Sequence, residues 1–264
     1  MSQYPVRVLS SRPDIAPCDS LEGPGVEIVP LTVPASVREY EYGDKVYGCM
    51  VAEESTAPHV RSLVYLTADS IVIAPPLLFN LGPDLDAAVR PVHIKNVGLG
   101  VGEKPDAFWS KVYEAAGVSD VDVTVESFVD RQHIRAYYNS AAFAVNPSAG
   151  VFRRWFEGFE KLVVNRDFQA GPCSDGRHRI FLHQAVLSTI IATSPGSART
   201  RLLPETYGYP YNLHADVAPH RRAAALDDVV CAIYHERSID PRVIDDIEIG
   251  PALREWITSR IGRD

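Results

Sequence analysis

The sequence predicts an α/β protein with a mixed, mostly parallel sheet flanked by helices, and three observations carry that expectation. Strand-like and helix-like segments alternate along most of the chain, the pattern of a sheet covered on both faces. The 264 residues, 46% of them hydrophobic, suffice for one large domain over 1–264 with a sizeable core. No internal repeat and no low-complexity tract competes with that reading.

The segments "VRVLSS" and "VEIVPLTV" read as short buried strands, separated by a proline- and glycine-bearing loop from Pro13 to Pro24. From Ala35 to Glu54 the spacing of Val37, Tyr40, Val46, Tyr47, Met50 and Val51 predicts a helix, against the weak propensities of Gly43 and Gly48. A strand at Leu63–Leu66 follows, and Ile71–Ala74 resumes it before two prolines. "PDAFWSKVYEAAG" is a helix with a glycine stop, and "RAYYNSAAFAVNP" reads as one strand. "AGVFRRWFEGFEKLVVN" is amphipathic, with Val151, Phe152, Trp155, Phe156, Phe159 and Leu162 on one face. "RIFLHQAVLSTIIATS" is a mostly apolar helix, "VVCAIYHE" a late strand and "PALREWITSRIG" a terminal helix.

Charge and cysteine usage narrow the function classes. A net charge of −8 and a pI near 5.5 argue against nucleic acid as the main partner. Cys18, Cys49, Cys173 and Cys231 have no metal-ligand spacing, so reduced, mostly buried thiols are expected. No apolar run reads as a signal peptide or a membrane span, and the expected location is cytoplasmic. Gly98, Gly100 and Gly102 form neither a P-loop nor a dinucleotide fingerprint. His93, Lys95 and Asn96 beside them fit an acceptor site or, more simply, a turn between elements.

The stretch "SLVYLTADSIVIAPP" places Thr67, Asp69 and Ser70 at the end of an apolar strand. In open α/β sheets ligands lie outside the carboxyl ends of strands, although Asp69 also suits an Asx-turn.

Four segments in order resemble the GT-A (Rossmann-like) glycosyltransferases, in particular the glycogenin-like and galactosyltransferase-like family 8. "YLTADSIV" is similar to the family's YLDxDxxV except at the first acidic position, and "YYNSAAFAVNP" to YFNSGxxxxN, followed by the aromatic helix "VFRRWFEGF". "FLHQAVL" stands where the family carries an Asp-Gln pair, and "CAIYHE" where a strand ends in histidine. The likeness spans roughly residues 26 to 240. It implies that positions 67, 69 and 235 face a divalent cation on the diphosphate of a nucleotide sugar. Thr67 carries no charge, so Asp69 and His235 are the metal candidates and Mn²⁺ or Mg²⁺ is expected to bind weakly. Asn139 and Ser140 match residues approaching the donor sugar. Gln184 matches the glutamine beside the anomeric carbon, where an amide stabilises an oxocarbenium-like centre rather than attacking it. His183 replaces the usual aspartate. The phosphate-binding lysine is missing, leaving Arg237 or Arg242 to reach a diphosphate.

Each of these residues has a structural alternative: a turn amide for Asn139, a helix-surface residue for Gln184, a strand-end hydrogen bond for His235 and solvated charge for Arg237. A family member's first helix is missing between the first two strand candidates. The leading expectation is transfer of a hexose from a nucleotide sugar to an unidentified acceptor, with retention. The alternatives are a non-catalytic binding or scaffold protein on a degenerate fold, or nucleotidyl transfer at the same pocket.

Overall fold

The computed structural model describes residues 4–15, 17–193, 197–233 and 246–261. The chain opens with a parallel pair, β1 (Val6–Ser10) and β2 (Val26–Pro30), in register from Val6 opposite Val26 to Ser10 opposite Pro30. Among the described residues their connection holds only a 3-10 turn, Asp19–Leu21. The pair docks on α1 (Gly43–Glu54) at Gly48, where an added Cβ would lie 3.1 Å from Leu9 Cδ1 and 3.3 Å from Leu31 Cδ2. The glycine that weakens the helix therefore admits the strands.

The helix expected from Ala35 begins eight residues later, at Gly43. Residues 35–42 instead form tight turns, closed by Val37 N–H to Pro34 O at 3.1 Å and Gly43 N–H to Tyr40 O at 2.9 Å. Tyr42 adopts a left-handed conformation with φ 62°, and a Cβ on Gly43 would stand 1.9 Å from Val37 O. Backbone approach this close admits only glycine.

The central sheet runs in the order β3 (Leu63–Leu66), β8 (Ala142–Val145), β5 (Ala87–Val89), β9 (Thr200–Leu202). β8 is antiparallel to both β3 and β5, and β9 is parallel to β5, so three of the four strands share a direction. Successive side chains alternate faces. Ala87, Val89, Phe143 and Val145 enter the core with α3 (Val151–Val163) and α5 (Gly176–Thr193). Ala88, Ala142 and Ala144 face Phe79, Leu203, Tyr207 and Cys231. Helices thus cover one face, and a three-stranded sheet packs near the other: β10 (Tyr207–Pro210), β11 (Cys231–Ile233) and β4 (Ser70–Val72).

The expected apolar stripe of α3 is buried throughout, from Val151 to Leu162, and Phe143 meets Phe152 edge to face at 5.6 Å. On α5 every residue from Leu182 to Ala192 is buried, as for a helix surrounded by protein. α2 (Ala107–Ala115) packs beside both, α4 (Arg166–Ala170) adds Phe168 to the same core, and α6 (Pro251–Ile261) adds Ile257 to a second cluster with Tyr209 and Val217. No helix among the described residues is long and apolar enough to cross a membrane.

One strand expectation is divided. "RAYYNSAAFAVNP" yields β7 (His133–Arg135), paired antiparallel with β6 (Thr124–Glu126), and then β8. Between them residues 136–141 are buried without regular ladder pairing, because their amides bond elsewhere. Tyr138 N–H donates to Ser188 Oγ at 2.8 Å, Asn139 N–H to Arg90 O at 2.8 Å and Ala141 N–H to Asn139 Oδ1 at 2.8 Å. That break turns Asn139 and Ser140 out of the sheet.

Candidate functional site

The site is assembled where β3 ends, the break before β8 turns and α1 and α5 converge. Thr67 N–H donates to Ala141 O at 2.9 Å, which ties the end of β3 to the Asn139–Ser140 turn. Ser140 is 4% exposed and is the node. Its hydroxyl oxygen lies 3.0 Å from Lys45 Nζ on α1, 2.9 Å from His183 Nε2 and 3.3 Å from Gln184 Oε1 on α5. Lys45 Nζ also donates to Ser140 O at 2.6 Å.

The hydrogen-bond directions follow from His183. Its Nδ1 faces Ile180 O at 2.8 Å, a pure acceptor, so Nδ1 carries the proton. Burial, reinforced by the nearby Lys45 charge, holds the imidazole well below its ordinary range, and His183 is neutral. Nε2 therefore accepts the Ser140 hydroxyl proton, and that hydroxyl accepts from Lys45. Gln184 stands as the second neighbour, 6% exposed. Trp155 Nε1–H donates to His183 O at 2.7 Å and fixes this turn of α5 from below.

Lys45 is half-buried, with its ammonium 4.8 Å from the Tyr65 ring centroid and 5.4 Å from that of Tyr42. Burial lowers its pKa to about 8, against the opposing pull of Cys49, Asp69 and Asp44. Tyr42 lies 4.2 Å from the His183 ring. Lys45 and Tyr42 were not identifiable as site residues in the sequence, since nothing in "YGDKVYG" distinguishes that lysine from a solvated helix charge.

The structure thus brings the Ser140, His183 and Gln184 side chains together, with Thr67 and Asn139 beside them through the Ala141 backbone, where Asn139 Oδ1 acts as the turn amide, and Asp69 in electrostatic reach of Lys45. Asp69 sits in the turn between β3 and β4, and its Oδ1 is buried without a hydrogen-bond partner. The Thr67 hydroxyl is 3.1 Å from Ser70 Oγ. His235, Arg237 and Arg242 lie outside the described residues. Among the described residues no group of three His, Cys, Asp or Glu side chains could hold a metal.

Two other features lie apart from this cluster. His93 Nε2 is 3.0 Å from Gly208 O, Lys95 N–H donates to Asp130 Oδ2 at 2.9 Å, and Gly100 N–H donates to Glu103 Oε2 at 2.6 Å. These contacts make the glycine segment a structured turn. A surface concavity lined by Glu53, Pro147 and Arg153 lies at the other end of α1, where Glu53 accepts from the Phe152 and Arg153 amides and caps α3.

Comparison with curated proteins returns no match. Among solved structures the chain is similar to mouse xyloside xylosyltransferase 1 in its apo form, at 12% identity and a TM-score of 0.45, covering 89% of this chain and 85% of that one. It is also similar to the galactosyltransferase LgtC in complex with donor and acceptor sugar analogs, at 13% identity and a TM-score of 0.45, covering 97% and 88% of the two chains. The profile described as the Rhodobacterales glycosyltransferase domain matches residues 5–194. That span takes in α1, the ends of β3 and β8 and the whole of α5, and the chain belongs to the Rhodobacterales glycosyltransferase domain family.

Proposed function

We propose that this protein transfers a hexose from a nucleotide-sugar donor, with retention of configuration, at the cluster centred on Ser140. The observation that carries this reading is the meeting of Lys45, His183 and Gln184 around one serine hydroxyl at the carboxyl end of β3, where α/β sheets bind ligands. Membership of a glycosyltransferase family supports the reaction class, and the sequence likeness to family 8 supports the donor type and the stereochemistry.

In this reading Asn139, Ser140 and His183 orient the sugar hydroxyls. Gln184 faces the anomeric carbon, where its amide dipole stabilises the positive charge that develops as the diphosphate departs. His183 stands in place of an aspartate with its Nδ1–H given to Ile180 O and its Nε2 taking the Ser140 proton, so it orients the sugar through the position of Ser140 rather than by a hydrogen bond of its own. Asp69 orients the donor near its diphosphate, and Arg237 is a further candidate to reach it. The whole chain serves as one catalytic domain in this proposal.

Thermal melting against a panel of nucleotide sugars tests the reading, because a ligand that binds only the folded state raises the melting temperature. One donor is expected to shift melting and to release its nucleoside diphosphate slowly in water. No shift with any donor would overturn the proposal. Thr67, where the family 8 pattern has a carboxylate, favours a second reading, a non-catalytic binder. A donor that binds and is never turned over, with any acceptor sugar, would select it.

A further inference from the structure

A divalent cation is what the family 8 likeness implies beside the diphosphate, and the described residues do not form its shell. Thr67 is neutral and its hydroxyl already faces Ser70 Oγ at 3.1 Å. Asp69 provides one carboxylate, and no group of three possible ligands is found among the described residues. The orphaned Asp69 Oδ1 is consistent with one ligand contact, not with a cage.

The same region holds a positive charge of its own. We propose that the Lys45 ammonium takes the place of the metal, supplying the charge against which the donor diphosphate binds and departs; this rests on the nucleotide-sugar reading above. Lys45 makes no ion pair among the described residues. Its hydrogen bonds there are to the Ser140 carbonyl and hydroxyl oxygens, two acceptors for three N–H donors. The Tyr65 and Tyr42 rings flank the ammonium and stabilise a cation without neutralising it. A half-buried charge with no partner anion is costly unless a ligand supplies one. Asp69 and Asp44 act on Lys45 only at a distance, opposing in part the lowering that burial causes.

Isothermal titration with uridine and guanosine diphosphates, in chelator and in Mn²⁺, decides the matter for the natural protein and the variants Lys45→Met and Lys45→Arg. The natural protein is expected to bind one diphosphate in chelator. Lys45→Met is expected to lose roughly tenfold or more of that affinity, as expected for a charge-assisted contact, and to regain part of it in Mn²⁺; Lys45→Arg is expected to retain it. Two results overturn the inference while leaving the donor reading intact: strictly metal-dependent binding by the natural protein, or folded Lys45→Met binding as tightly as the natural chain in chelator. The first needs no variant to fold. Absence of binding by the natural protein to either diphosphate and to every nucleotide sugar, with or without Mn²⁺, overturns both readings together.

Discussion

Ser140 Oγ stands 2.9 Å from His183 Nε2, joining a backbone break in the central sheet to a buried turn of α5. The two residues are buried to 4% and 3% exposure, so neither can turn to water if the other is removed. Ser140→Ala would leave the His183 Nε2 acceptor unpaired and strip Lys45 of one of its two acceptors. An orphaned buried polar group costs about 1–3 kcal/mol. Ser140→Ala is therefore expected to lower the melting temperature and also to weaken donor binding, read by melting with and without nucleotide sugar. A variant as stable as the natural protein would show that the contact carries no energy.

Thr67 fixes the charge at the end of β3. Two unit charges about 4 Å apart interact by about 4 kcal/mol at an effective dielectric near 20, so adding one carboxylate is enough to change how the site balances charge. Thr67→Asp is expected to weaken diphosphate binding in chelator and to make it depend on Mn²⁺, while the natural protein depends on metal only weakly. Titrations of both forms with and without chelator measure this. Equal metal dependence in the two would remove position 67 from the site.

The elements that position this site were legible in the sequence because their signals are local. The α3 stripe, the apolar α5 and the strand Leu63–Leu66 all follow from periodicity and composition, and "YYNS" and "FLHQ" mark the segments that meet at Ser140. What was not legible depends on distant partners. The apparent strand from Arg135 to Pro147 breaks because Ser188 and Arg90 take its amides, and neither is near it in sequence. The apparent helix from Ala35 starts late because Val37 O closes on Gly43. That late start sets the position of Lys45 at the Asn139–Ser140 turn, and no periodicity in the sequence reports it.

Gly43 and Gly48 lie on the same helix and make opposite predictions. A Cβ at Gly43 would meet Val37 backbone oxygen at 1.9 Å and backbone carbon at 2.9 Å, and backbone cannot swing aside. Gly43→Ala is expected to cost roughly 3 kcal/mol or more and, by displacing Lys45, to abolish donor binding. At Gly48 the neighbours are the ends of the Leu9 and Leu31 side chains, at 3.1 and 3.3 Å. Gly48→Ala gains about 1 kcal/mol of helix propensity against a small repacking cost, so it is expected to be near neutral. Chemical denaturation of the two variants side by side reads the difference. Equal destabilisation would contradict the close packing of the 37–43 turn.

The pH dependence separates stability from binding. Burial lowers Lys45 from an ordinary 10.5 to about 8. Between those values the unfolded chain holds a proton that the folded chain has released, so Lys45 contributes stability that rises with pH across that window. Donor binding needs the ammonium and runs the other way, weakening as pH climbs through about 8. His183 is held well below its ordinary 6.5, first by burial and then by the Lys45 charge. As pH falls through 6.5 the unfolded imidazole takes up a proton that the folded one refuses, so its contribution to stability falls on acidification. Melting temperature and nucleoside diphosphate affinity, followed together across pH, are expected to diverge above about pH 8. Lys45→Arg, whose guanidinium stays charged throughout, is expected to flatten the affinity profile on the alkaline side. An affinity that holds steady through the Lys45 titration in the natural protein would mean that the ammonium does not contact the donor.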